Sequence, residues 1–228
     1  MIQIVLTAWR WVDKSKSPDA RAKALLSEMT LEEKLAMLHG PEAPLPSCEC
    51  KPGEPNFSAA CVYTGNVEGN NRLGIPPIHM NDGPQGFRDS IYPGTSTQFP
   101  SGLALAASWD VSAVETWGAA MGSEFRAKGA NVQLGPGVCL ARVPTNGRNF
   151  EYLSGEDPFL GSILAGAAVR GIQSQGVIAN AKHWVNNNQE TNRMTINEVV
   201  DERTRFEVCW RLLELSLSFP LTDVLSSL

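Results

Sequence analysis

The run NVQLGPGVCLARVPTNGRNFEYLSGEDPFLGSILAGAAVRGIQSQGVIANAK, residues 131–182, decides how the chain folds. Asn131 to Leu134 reads as a short strand. From 134 to 161 no period survives, because Gly135, Pro136, Gly137, Pro144 and Gly147 break it. Asp157-Pro158 then opens a helix with Phe159, Ile163, Leu164, Ala167 and Gly171 on one face. Val177 to Lys182 returns as a strand. The segment between the two strands carries Arg142, Arg148, Glu151, Glu156 and Asp157, more charge than an ordinary connection needs. Long loops in compact domains are usually functional or disordered. Val138, Leu140, Val143, Phe150, Tyr152 and Leu153 argue for a packed loop, and so for a site loop.

Working outward, residues 18–28 read as a helix, and Thr30-Leu31-Glu32-Glu33 is a capping box opening a second helix that runs to Gly40. Residues 41–72 read as an irregular decorated loop. It holds Cys48, Cys50, Cys61 and the sequon Asn56-Phe57-Ser58, a combination suited to a secreted protein. The cysteine spacing favours disulfides or free thiols and matches no common zinc pattern, so no metal is expected. Ile75 to Asn81 is a strand whose prolines restrict it to a strand start or an edge, and it runs into Asp82-Gly83-Pro84. After a small apolar segment, Leu103 to Ser108, a helix capped by Asp110 and stopped at Gly129 buries Val114, Trp117, Met121 and Phe125. Cys139 and Cys209 read as buried thiols. Helix, strand, turn, helix, strand, loop, helix, strand is the order of a parallel α/β sheet or barrel.

The chain has 228 residues and a formal net charge of -5, without a Lys/Arg cluster. Nucleic acid and anionic membrane are therefore poor partners, and a neutral or cationic ligand fits better. No stretch approaches the ~20 apolar residues of a membrane span. The opening MIQIVLTAWRW lacks the basic start of a signal peptide.

In α/β barrels ligands gather at the C-terminal ends of strands. Asp82 and Arg88 follow the first predicted strand, Arg142 to Glu151 the second, and Lys182, His183, Gln189, Glu190 and Arg193 the third. Taken singly, Asp82 suits its own turn, Arg88 and Arg148 suit structural ion pairs, and His183 suits a core. Taken together they converge on one pocket if the sheet closes. Consecutive strand residues point to opposite faces, so Lys182 and His183 reach one ligand only through a bulge or a non-proline cis peptide.

Three ordered motifs resemble glycoside hydrolase family 3, in its β-glucosidase branch: NDGPQGFR at 81–88, NGRNFEYLSGEDP at 146–158 and AKHWVNNNQETNR at 181–193. LEEK at 31–34, FPSG at 99–102 and VDERT at 200–204 extend the likeness over about residues 18–207. The resemblance implies an incomplete (β/α)8, TIM-like barrel, the N-terminal domain of that family. It implies retaining hydrolysis of terminal non-reducing β-D-glucosyl units from β-glucosides or cello-oligosaccharides, without a cofactor. It assigns Asp82, Arg88, Arg148, Lys182 and His183 to the glucosyl subsite, with Arg193 as a further pocket arginine and Glu151 and Glu190 supporting the arginines.

No catalytic residue can be named. The family's nucleophile is an aspartate on a later barrel strand, its acid/base glutamate comes from a second α/β domain, and this chain has no Ser-Asp-Trp. After Glu207 the sequence leaves the family pattern, and Asp223 lies in that unrelated stretch. The expected division is an N-terminal extension at 1–17, a partial barrel at 18–207 and a non-family tail at 208–228, the tail able to form a helix with Phe206, Trp210, Leu213 and Leu217 on one stripe. Such a piece should leave strand edges unpaired and fold poorly alone. The longer family protein is expected to be secreted. A truncated chain inactive by itself is the favoured expectation; a non-catalytic sugar-binding or interaction fragment is the alternative.

Overall fold

The computed structural model describes residues 9–40, 62–89, 91–92, 94–184 and 186–210. The Cys48, Cys50 and Cys61 cluster, the Asn56 sequon and the expected apolar stripe beyond Trp210 lie outside the described residues. Local sequence sets most helix starts. Helix α1 (Pro18–Glu28) begins with proline after Ser17, whose hydroxyl accepts from the Ala20 amide. Helix α2 (Leu31–Ala36) has the full Thr30–Glu33 capping box. Strand β1 is Gly65–Val67 and β2 is Ile78–Asp82. Next come α3 (Gly102–Ser108) and α4 (Val111–Ala127), the latter capped by the Asp110 carboxylate and stopped at Gly129, whose φ of 83° is left-handed. Strand β3 (Val132–Leu134), helix α5 (Pro158–Ser174), strand β4 (Ile178–Ala179) and the short α6 (Glu202–Thr204) complete the order.

The strands form one sheet in the order β1-β2-β3-β4. The last three are parallel, with Met80 opposite Val132, Asp82 opposite Leu134 and Gln133 opposite Ala179. Their C-terminal ends therefore come out on one rim, and helices cover the outside as in a partial barrel. At the other end Trp11, Ala22 and Leu25 meet Ile75, Ile78 and Ile178 around an apolar cavity of about 210 Å³. The Trp11 indole N–H bonds the Leu73 carbonyl at 2.9 Å there. Among the described residues no helix is long and apolar enough to cross a membrane.

The structure departs from several of these expectations and adds to others. Strand β1 runs antiparallel to β2 inside the stretch read as wholly irregular, so the sheet is mixed. The strand expected from Ile75 starts at Ile78, because Pro76 and Pro77 have no N–H to give a ladder. The apolar segment at 103–108 is helix α3, capped by the Ser101 hydroxyl. On α5, Leu164, Ala167 and Gly171 are buried as expected, but Phe159 and Ile163 are exposed. The buried face is turned toward Ala165, Ala168 and Ile172. Cys139 is buried as expected, whereas Cys209 is only partly so. In the site loop Val138, Leu140, Tyr152 and Leu153 are buried, while Val143 and Phe150 are not.

The rotated face has a packing cause. Helices α4 and α5 cross where Gly118 and Gly122 face Ala168 and Ile172, and where Gly171 faces Glu115 and Ala119. Small residues bring the two backbones together, and Val114, Trp117, Met121, Leu153 and Leu164 fill the space beside them. A Cβ placed on Gly118 would lie 2.6 Å from the Ala168 carbonyl oxygen, a backbone atom that cannot swing aside. Gly118→Val should therefore destabilise the fold by about 1–3 kcal/mol. Gly147→Ala, where nothing lies within 4 Å of the added carbon, should be nearly neutral. Urea unfolding followed by circular dichroism measures both.

Candidate active site

Buried amides build the rim. Asn81, 1% exposed on β2, accepts from the Thr64 amide and hydroxyl at 3.3 and 2.9 Å and donates to the Arg88 carbonyl at 3.0 Å. The Gln133 side chain on β3, fully buried, donates to the Gly83 carbonyl at 3.3 Å. The Arg88 amide closes the turn on the Asp82 carbonyl at 2.7 Å. These bonds hold the Asp82 turn from both sides, so its carboxylate has a set position before any ligand arrives.

The end of β4 is held in the same way. The Lys182 amide donates to Pro136 at 3.0 Å, and its carbonyl accepts from Val138 at 2.7 Å, so the strand continues along the site loop. The Lys182–His183 peptide is cis, one of the two departures expected from the sequence, and both side chains line the same cleft. Lys182 Nζ lies 3.1 Å from Asp82 Oδ1, joining the first and third strand ends.

Arg148 ties the loop to the third cluster. Its Nε donates to Glu151 Oε1, its Nη1 lies 3.0 Å from Glu190 Oε1, and its Nη2 lies 3.2 Å from His183 Nε2. Glu190 also pairs with Arg193 at 3.1 Å. Asp82, Arg148, Lys182, His183 and Arg193, with Glu151 and Glu190, thus face one open cleft of about 680 Å³. Arg88 differs. Its side chain is 69% exposed, it does not line the cleft, and it reaches Asp82 Oδ2 only at 4.0 Å. Arg142 and Gln189 are also off the cleft; Arg142 instead points toward Cys209 Sγ at 4.0 Å.

Some lining residues were not singled out from the sequence. Asn180 stands two positions before Lys182, which places it on the same strand face, a period-2 signal open to use. Phe150 supplies an apolar wall. Beneath the cleft, Cys139 and Tyr152 touch His183, and nothing local in the sequence announces that contact.

The electrostatics suit recognition. Burial, then the cations Arg148, Lys182 and Arg193, push the His183 imidazole down to about 4, so it stays neutral near pH 7. Burial raises the Cys139 thiol to about 11 and keeps it protonated. Asp82 is tied to Lys182, Glu151 to Arg148, and Glu190 to Arg148 and Arg193. Each of these three carboxylates is thus held against a cation. Such a set can bind a polyol, with cations donating to hydroxyl oxygens and the carboxylate accepting from hydroxyls.

Residues 57–207 match the family model described as "Glycosyl hydrolase family 3 N terminal domain". The chain belongs to glycosyl hydrolase family 3. Thermostable beta-glucosidase B of Acetivibrio thermocellus is 43% identical over 195 residues, covering 82% of this chain and 23% of that protein. Beta-glucosidase B of Emericella nidulans is 38% identical over 204 residues, covering 89% and 22%. Beta-glucosidase 3B from Thermotoga neapolitana, solved in complex with alpha-D-glucose, superposes with a TM-score of 0.76 at 38% identity over 86% of this chain and 27% of that one. The chain therefore spans about a quarter of the length of these relatives. Their shared domain accounts for the partial barrel.

In this family 3 domain Arg148 and Glu151 each keep only 11% of their side chains exposed. Removing Arg148 strands the Glu151 carboxylate, which typically costs about 3–5 kcal/mol, whereas removing Glu151 leaves Arg148 its pair with Glu190 at 3.0 Å. Arg148→Ala should therefore lose stability on that scale and Glu151→Ala less, and the double variant should lose less than the sum. A double-mutant cycle by urea unfolding measures the coupling.

Proposed function

We propose that Asp82, Arg148, Lys182, His183 and Arg193 hold the terminal non-reducing β-D-glucosyl unit of a β-glucosidase substrate, that Glu151 and Glu190 keep the arginines in place, and that Arg88, outside the cleft here, joins them only by turning in beside Asp82. One observation carries this reading: the charged groups of three separate motifs meet in a single cleft, Asp82 on Lys182 and Arg148 on His183. Each buried sugar hydroxyl needs a partner, and this cleft offers fixed ones of both kinds. Glucose-bound relatives of the same fold support the choice of ligand.

The longer protein to which the domain corresponds is then a retaining β-glucosidase acting on β-glucosides or cello-oligosaccharides. Retaining hydrolysis uses two carboxyl groups ~5–5.5 Å apart, one as nucleophile and one as acid and then base. The cleft carboxylates described above are engaged with cations, so the reacting pair is assigned to residues outside this set. The acid/base residue would come from a second α/β domain. On this reading the partial barrel spans 18–207, between an extension at 1–17 and a tail at 208–228; the family match ending at residue 207 supports the second boundary. The sequon at Asn56 and the clustered Cys48, Cys50 and Cys61 favour an extracellular setting.

Because the carboxylates among the described residues of the cleft, Asp82, Glu151 and Glu190, are all paired with cations, the chain by itself is read as sugar-binding and inactive. Titration with millimolar glucose, followed by amide NMR, should shift resonances of the 134–161 loop, and Asp82→Ala should abolish the shifts. An aryl β-glucoside should not be turned over. Turnover lost on Asp82→Ala would overturn the inactivity, and absence of glucose-dependent shifts would overturn the sugar site.

A further inference from the structure

The contacts around His183 decide where its proton sits. Arg148 Nη2 is 3.2 Å from His183 Nε2. A guanidinium has donors only, so this contact is a hydrogen bond only when Nε2 is bare. A neutral imidazole carries one proton, which is then on Nδ1. That nitrogen lies 3.6 Å from Cys139 Sγ. The same sulfur accepts the His183 backbone N–H at 3.4 Å. Its own S–H is directed at the Asn187 carbonyl, 4.0 Å away, which also takes the Tyr152 hydroxyl at 3.3 Å. Donors and acceptors alternate without conflict from Arg148 through His183 and Cys139 to Asn187. Turning the ring over would set a carbon against the guanidinium, and the Tyr152 ring stands edge-on to the imidazole with centroids 6.1 Å apart.

We propose that Cys139 is a positioning residue that, opposite Arg148, fixes His183 as the Nδ1–H tautomer and so leaves Nε2 as a hydrogen-bond acceptor facing the cleft. His183 then does not donate to a ligand through Nε2. It holds the Arg148 guanidinium with its single Nε2 lone pair, and a ligand hydroxyl takes that acceptor only by sharing it with Arg148 or displacing it. Among the cations and carboxylates lining the cleft it is a neutral acceptor. A ligand methylated or deoxygenated at the facing carbon would lose that bond. This last consequence rests on the sugar-site reading; the tautomer does not. Cys139 has no covalent part here, since it is 7% exposed and its thiol is held protonated by burial.

Long-range 1H–15N NMR of the full chain, labelled with 15N-histidine at neutral pH, tests the proposal. The chain has three histidines, and His183→Gln identifies the resonances to follow. The expected spectrum has a protonated Nδ1 and an unprotonated Nε2 for His183. Cys139→Ala should move His183 toward a mixture of tautomers and weaken glucose binding severalfold, and Cys139→Ser, which keeps an acceptor, should restore both. An Nε2–H form or an averaged mixture in the wild-type chain would overturn the proposal. So would a Cys139→Ala spectrum identical to wild type. If Cys139→Ala does not fold, the wild-type and Cys139→Ser spectra decide between the same outcomes. The expected tautomer without any glucose binding would remove the sugar reading and leave the proton assignment standing.

Discussion

The Arg148 guanidinium is nearly enclosed, and a buried cation is tolerated only when its donors are matched. Its partners come from three places in the chain: Glu151 three residues on in the same loop, His183 at the end of β4, and Glu190 in the segment after it. Satisfying that one side chain requires the loop to fold back over the sheet, and Tyr152 and Leu153 are buried as it does so. It also requires the segment after β4 to return toward the loop, which the bond from Asn146 to the Asn188 carbonyl and that from Asn188 to the Leu140 carbonyl reinforce. The cleft is the space left in front of this arrangement.

The scaffold makes the arrangement possible by placing three parallel strand ends on one rim. Close contact of α4 with α5 at Gly118, Gly122 and Gly171 sets the backing layer. Met121 on α4 in turn lies against Gln133, whose amide supports the Asp82 turn. Core packing and ligand-facing geometry are therefore joined through a buried polar side chain. A change in the helix pair would be felt at Asp82 through Gln133.

Features written in local chemistry were legible in the sequence. Thr30, Asp110 and Asp157 cap helices because a short oxygen side chain can satisfy the first free amides. The α4 stripe was legible because large apolar residues recur at helical spacing. The α5 face was misjudged because alanine and glycine carry its burial, and hydrophobic period says little about residues that small. Strand β1 was missed because three residues amid prolines and glycines have no visible alternation; its pairing and the stacking of Tyr63 on His79 are settled by tertiary contact. At the site, motif resemblance selected Asp82, Arg148, Lys182, His183 and Arg193, which do share a cleft, and Arg88, which stands outside it. The Cys139 contact with His183 links positions 44 apart, and only the fold brings them together.

The central claim is that the cleft bounded by Asp82, Lys182, His183 and Arg148 is assembled to receive a glucosyl unit. A crystal structure of the chain grown with glucose tests it most directly. The account predicts a sugar in this cleft, with hydroxyls on the Asp82 carboxylate and Lys182 and with Arg148 still paired to Glu151. Glucose bound elsewhere while this cleft stays empty, or Arg148 swung out of its pairing with Glu151, would contradict it.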